Sequence, residues 1–229
     1  MTRHRTVRGT LVAAAATLTL AACSTHPGDA AVVNGDAISP GEVDDVATAL
    51  CAVQGGGQQG QPAQALATRG ARQAALGILL DTELTRRFGA AEGVKPPAQQ
   101  LAAALSSSAQ TIAAVPAAQR DKIRETIKGI AASQLIVSEV GRRALAAQGT
   151  ANPTAEQATS AGTKLRNAWV AKHTDVTIDP RYGTYSKGTV RPASGSLSVA
   201  QSARAADGSS PDPSQGWVSS LPASQKCAS

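Results

Sequence analysis

The chain has 229 residues, 42% of them hydrophobic but only 2% aromatic, with 22 Lys and Arg against 16 Asp and Glu. That length allows one domain with a real core, and a core made of Ala, Leu, Ile and Val favours packed helices over a sandwich or barrel. Three of the basic groups, Arg3, Arg5 and Arg8, lie in the first 22 residues; the remainder is nearly balanced, which argues against nucleic acid as a partner.

Residues 1–22 have the layout of an export signal: a basic start with Arg3, His4, Arg5 and Arg8, an apolar run from Leu11 to Ala22, and small residues at its end. The run is shorter than the roughly 20 apolar residues that span a bilayer. It closes on Leu20-Ala21-Ala22-Cys23, which resembles a bacterial lipobox. In that motif, small residues admit the signal peptidase and the thiol of the cysteine, here Cys23, receives a diacylglyceryl group. A secretory signal with a coincident cysteine is the alternative; basic start, run and box together favour the lipoprotein. Two acyl chains meet the condition for stable anchoring, so the expected location is the outer face of a bacterial cell membrane, with residues 23–29 as a polar tether. Lipidation would leave Cys51 and Cys227 as an even pair in an oxidising compartment. Either they form a disulfide that clips the tail to the first helix, or Cys51 is a buried, inert thiol and Cys227 a free one.

The stretch Ala31–Ala52 reads as a short strand, a tight turn and a capped helix. Ala31, Val32 and Val33 favour extended backbone, and Asn34-Gly35 supplies the positive φ angles of a two-residue turn. Ser39, Pro40 and Glu42 stand as N-cap, first helical residue and capping-box partner, and Val43, Val46, Ala47 and Leu50 form one apolar face. Residues 54–62, rich in Gly and Gln, read as a loop, and no Lys-Ser or Lys-Thr follows to make it a phosphate loop. A second helix, from Pro62 or Thr68 to Ala91, carries Leu76, Leu80, Leu84 and Phe88, with Leu79 widening the stripe. Pro97 opens a third helix, through Leu101, Leu105 and Ile112 to Val115. Pro116 opens the longest, with a stripe of Ile123, Ile127, Ile130 and Val137 broadened by Leu135, Ile136 and Val140. Thr154 and Gln157 form a second capping box, for a helix through Leu165, Ala168 and Trp169 to about His173. Val176–Ile178 reads as a strand, and because a lone strand leaves its backbone unpaired it is expected to pair with Ala31–Val33. Beyond Lys187, Ser, Ala, Gly and Pro dominate and a mobile tail is expected, with Trp217 and Cys227 the only signs of docking. The expected fold is mainly helical: about five helices and a two- or three-stranded sheet joining the ends of a domain over 30–186, followed by a tail over 187–229.

Catalytic groups are sparse. His26 and His173 are the histidines left after the leader, no G-x-S-x-G elbow exists, and no Cys and His spacing suits zinc, so neither metal nor cofactor is expected. Asp44 with Asp45, and Asp121 with Glu125, read as solvated charge on polar helix faces.

Two segments carry a family resemblance. Val32, Val33, Asn34, Gly35, Ile38, Ser39, Glu42 and Val43 resemble the opening of the SurA-type chaperone domain, the N-terminal module of extracytoplasmic chaperones that include the PrsA lipoproteins. Pro180, Arg181, Tyr182, Gly183 and Thr184 are similar to the segment after the last helix in actinobacterial lipoproteins of that kind. The resemblance implies a helical module that binds unfolded or exported polypeptides. Many relatives also carry a parvulin-type prolyl isomerase domain, which needs about a hundred residues with histidines and an aromatic pocket. Only 43 residues follow Ser186, with one aromatic and no His, so a chaperone without isomerase activity is expected. A structural or accessory envelope lipoprotein with one dedicated partner is the alternative. Trp169, Tyr182 and Tyr185 read as core or hairpin packing rather than client contacts. Neither the client nor the oligomeric state is legible.

Overall fold

The computed structural model describes residues 28–55, 66–193, 202–210 and 212–227. β1 (Ala31–Val33) and β2 (Asp36–Ile38) make an antiparallel hairpin, closed by Asn34 at φ 52° and Gly35 at φ 91°, the two left-handed residues of a type I′ turn. α1 (Pro40–Gly55) follows, and the Ser39 hydroxyl accepts the Glu42 N–H at 3.1 Å. Val43, Val46 and Ala47 are buried, and Leu50 packs against the same cluster.

α2 (Thr68–Ala91) is the central helix. Leu76, Leu80, Leu84 and Phe88 are almost wholly buried, each side chain worth about 2 kcal/mol by its removal from water. The expected third helix is instead two, α3 (Ala98–Ser107) and α4 (Ala109–Ala114). The break falls in a serine run: the Ser107 hydroxyl donates to the Ala104 carbonyl at 2.9 Å, and such local bonding competes with the helical ladder. A single 3-10 turn (Ala117–Gln119) then leads into α5 (Arg120–Ala147), so the longest helix starts four residues after Pro116. Thr154 and Gln157 make both bonds of the capping box of α6 (Ala155–His173).

On α5 the expected stripe is buried at Ile123, Ile136 and Val140. Ile130 and Leu165 are exposed, whereas Ala158, Gly162, Arg166 and Val170 are buried on α6. A Cβ on Gly141 would overlap the Ala158 carbonyl oxygen, and one on Gly162 the Val137 carbonyl oxygen. Small residues therefore set this crossing, bringing backbone against backbone.

β3 (Val176–Ile178) pairs antiparallel with β1, Ala31 opposite Ile178, giving the sheet order β2–β1–β3. The two ends of the helical module are thus joined, as expected. Asn34 reinforces the joint: its side-chain amide donates to the His173 carbonyl at 3.1 Å and accepts the Asp175 N–H at 2.6 Å. A 3-10 turn at Pro180–Tyr182 leads to a second hairpin, β4 (Thr184–Ser186) with β5 (Thr189–Arg191).

Regular structure does not stop at Ser186, and the described residues beyond Lys187 depart from the expectation of a mobile tail. They include β5, α7 (Ala203–Ser209) and α8 (Gln215–Ser219). Their composition is poor in apolar residues, but local caps and a few anchors suffice. Ser202 and Ser214 cap the two helices, Val218 is buried, and Arg69 of α2 donates to the carbonyls of Gly208 and Ser210 at 3.0 and 3.3 Å. Cys227 N–H donates to the Leu66 carbonyl at 2.8 Å, beside the disulfide that joins Cys227 to Cys51.

Candidate functional site

The residues singled out in the sequence fall mostly into structural roles. Cys23 and His26 lie outside the described residues. Cys51 and Cys227 are bonded across 176 residues with Cα atoms 5.0 Å apart, so of the two alternatives for this pair the structure contains the disulfide. Val33 and Ile38 are buried and Val32 half-buried in the sheet. At the second motif, Asp179 pairs with Arg181 at 2.6 Å, and this bond, together with the backbone N–H of Arg181, holds the Asp179 carboxyl below its ordinary value. The Arg181 guanidinium stands 5.9 Å from the centre of the Tyr182 ring. Gly183, at φ 122°, passes so close to the Arg191 carbonyl that a Cβ would overlap it. Tyr182 is buried, and Trp169 lies between Phe88 and His173, at 5.9 and 5.1 Å. These aromatics pack the interior. Asp44 bonds Arg72 at 2.6 Å across a half-exposed pair, and Asp121 lies on the surface with Arg124.

Sequence reading missed Arg166. Its side chain is almost fully buried, donating to Asp81 Oδ1 at 2.7 Å, to the Thr85 hydroxyl at 3.2 Å and to Asn167 Oδ1 at 3.1 Å. It ties α6 to α2, and the spacing Ala158, Gly162, Arg166, Val170, one residue per helical turn, was the signal that could have found it. Beside it the Tyr185 hydroxyl is buried with no hydrogen-bond partner among the described residues.

The feature most suited to binding is an open cleft of about 360 Å³ between β2, α1, α2 and α5. Ile38, Val46, Ile78 and Leu79 give it an apolar floor. At one end of the cleft α5 comes close to α2 at Gly129, where a Cβ would come within 3.1 Å of Thr82. Four carboxylates, Asp36, Glu42, Glu83 and Glu125, line it against one ammonium, Lys122. Arg87 braces the lip, bonding Glu83 at 2.6 Å and Asp36 at once. Burial alone would push the Glu83 carboxyl up, but hydrogen bonds from Arg86 and Arg87, with their charges, outweigh it and hold the group below its ordinary value. Glu83 is therefore ionised at neutral pH.

The cleft offers apolar contact, charge and an adjacent strand edge, which suits non-covalent binding of a chain segment. Among the described residues no group of three or more His, Cys, Asp or Glu could hold a metal ion, and no helix is long and apolar enough to cross a membrane. Comparison with protein-family models, curated proteins and solved structures returns no match.

Proposed function

We propose that this chain is a lipid-anchored extracytoplasmic lipoprotein of SurA-like type that holds unfolded or exported polypeptides and performs no prolyl isomerisation. The observation that carries the reading is the cleft: an apolar floor with a charged lip, open to solvent, on the face of a small helical module. Ile78 and Leu79 stand only half-buried on that floor, and they offer a client the apolar contact that a folded protein would deny it. Lipid on Cys23 would keep the module close to the membrane, since the seven residues from there to Ala30 reach at most about 25 Å.

Two experiments test the reading. Replacing Cys23→Ser should release the chain from the membrane fraction and abolish acyl labelling; unchanged partition would overturn the anchor. Purified chain should suppress light scattering by an unrelated unfolding client at near-stoichiometric ratio, without accelerating prolyl-peptide isomerisation. No suppression, with one partner recovered in stoichiometric amount, would replace the chaperone by an accessory lipoprotein with a dedicated partner.

A further inference from the structure

The wall of the cleft is the open edge of a sheet, and its backbone direction follows from the register. Asn34 N–H donates to the Asp175 carbonyl at 2.9 Å, and Asp179 N–H to the Ala30 carbonyl at 3.0 Å. Positions 32 and 34 therefore turn their backbone groups toward β3, and by alternation 31 and 33 turn theirs toward β2; Ala30, where the strand begins, is split, its carbonyl facing β3 and its N–H donating to the Ile38 carbonyl of β2 at 2.9 Å. The type I′ turn gives the same phase, since the residues flanking it, Val33 and Asp36, form a hydrogen-bonded pair. Ala37, opposite Val32, is then in a non-hydrogen-bonded pair, and its N–H and C=O point away from β1. No strand lies beyond β2 among the described residues. Ala37 is exposed, and Asp36, Ala37 and Ile38 together line the cleft.

An unpaired donor and acceptor beside an apolar floor are what an extended peptide needs to add as a strand. Charge selects among such peptides. The Asp36 and Glu125 side chains are 77% and 73% exposed, Glu42 is exposed as well, and Lys122 already faces Glu125 and Asp45 at 3.6 and 3.9 Å. The excess is acidic, so a cation on the ligand gains and an anion is repelled.

We propose that the cleft takes an extended polypeptide segment as an added strand on β2. One backbone residue of the segment pairs with Ala37, an apolar side chain rests on Ile78 and Leu79, and a Lys or Arg within two residues of it meets Glu42 and Glu125. This rests on the polypeptide-binding reading above and names its substrate class, chains in which apolar residues are flanked by basic ones. With a single outward residue available, binding is weak and rapidly reversible, as release of a client requires.

The test uses the purified full chain and three labelled nonapeptides read by fluorescence anisotropy at low salt. One has two leucines flanked by lysines, the second has glutamates in place of the lysines, and the third is the lysine peptide with N-methylated central amides. The lysine peptide should bind at least about tenfold tighter than the glutamate peptide, a margin that shrinks as salt screens the charges. N-methylation and the variant Ala37→Pro, a substitution edge strands accommodate, should each weaken the lysine peptide by about fivefold to tenfold, the worth of one backbone hydrogen bond. Equal binding of the lysine and glutamate peptides, or indifference to N-methylation, overturns strand addition; if the chain still suppresses client scattering, the chaperone reading stands without it. Absence of both peptide binding and suppression overturns both.

Discussion

Glu83 shows how a single residue couples the cleft to the stability of the fold. Its carboxyl is buried enough to resist ionisation, yet two guanidiniums on the next turn of α2 keep it charged. Because its folded value lies below the ordinary 4.5, its contribution is complete above that pH and is lost as pH falls through the folded value. Thermal melts from pH 7 to pH 3 should therefore fall more steeply below about pH 4.5 in the parent than in Glu83→Gln. Parallel pH profiles would show that the carboxylate adds nothing to folding. Arg166 makes the complementary point about interiors: a nearly buried guanidinium is tolerated because Asp81, Thr85 and Asn167 all receive it.

The helix pair α5 and α6 depends on what is missing from it. At Gly162 a methyl group would meet the Val137 carbonyl, so Gly162→Ala must push the helices apart and should cost about 2–3 kcal/mol, typical of overpacking. Gly77, in the middle of α2, has nothing within 4 Å of its would-be Cβ, so Gly77→Ala should stabilise by about 0.5–1 kcal/mol through helix propensity. Chemical denaturation of the two variants measures both, and equal signs would refute the close crossing. The contrast also explains what sequence could tell. Asn34-Gly35 and the Thr154–Gln157 box were legible because their chemistry is local. Gly141, Gly162 and Arg166 were not, because their reasons lie on another helix. The expected stripe on α5 is buried at Ile123, Ile136 and Val140 and exposed at Ile130, and where α5 crosses α6 small residues make the contact.

The whole molecule is closed twice, by β1 pairing with β3 and by Cys51 bonding Cys227. A link across 176 residues constrains the unfolded chain strongly, by up to about 5 kcal/mol in the chain-entropy account. Reduction, or the double variant Cys51→Ser with Cys227→Ser, should lower the melting temperature by ten degrees or more, whereas an unchanged melt would mean that the native contacts of the tail hold it without the bond. The mainly helical fold and the joining of its ends were readable from periodicity and from the need of a lone strand for a partner. The docking of the tail was legible only through Cys51 and Cys227, whose bond stood as one of two alternatives; its other anchor, Arg69 on α2, leaves no pattern in the tail itself. The cleft was not legible, since its walls come from four elements between Asp36 and Gly129; the half-buried Leu79, which widens the helical stripe, was its one trace. The direct test of the account is hydrogen exchange of the chain with and without a saturating unfolded client. Protection confined to residues 36–38, 78–83 and 122–129 is the predicted result; protection elsewhere, or none while the client is bound, would contradict the assignment of this cleft as the binding site.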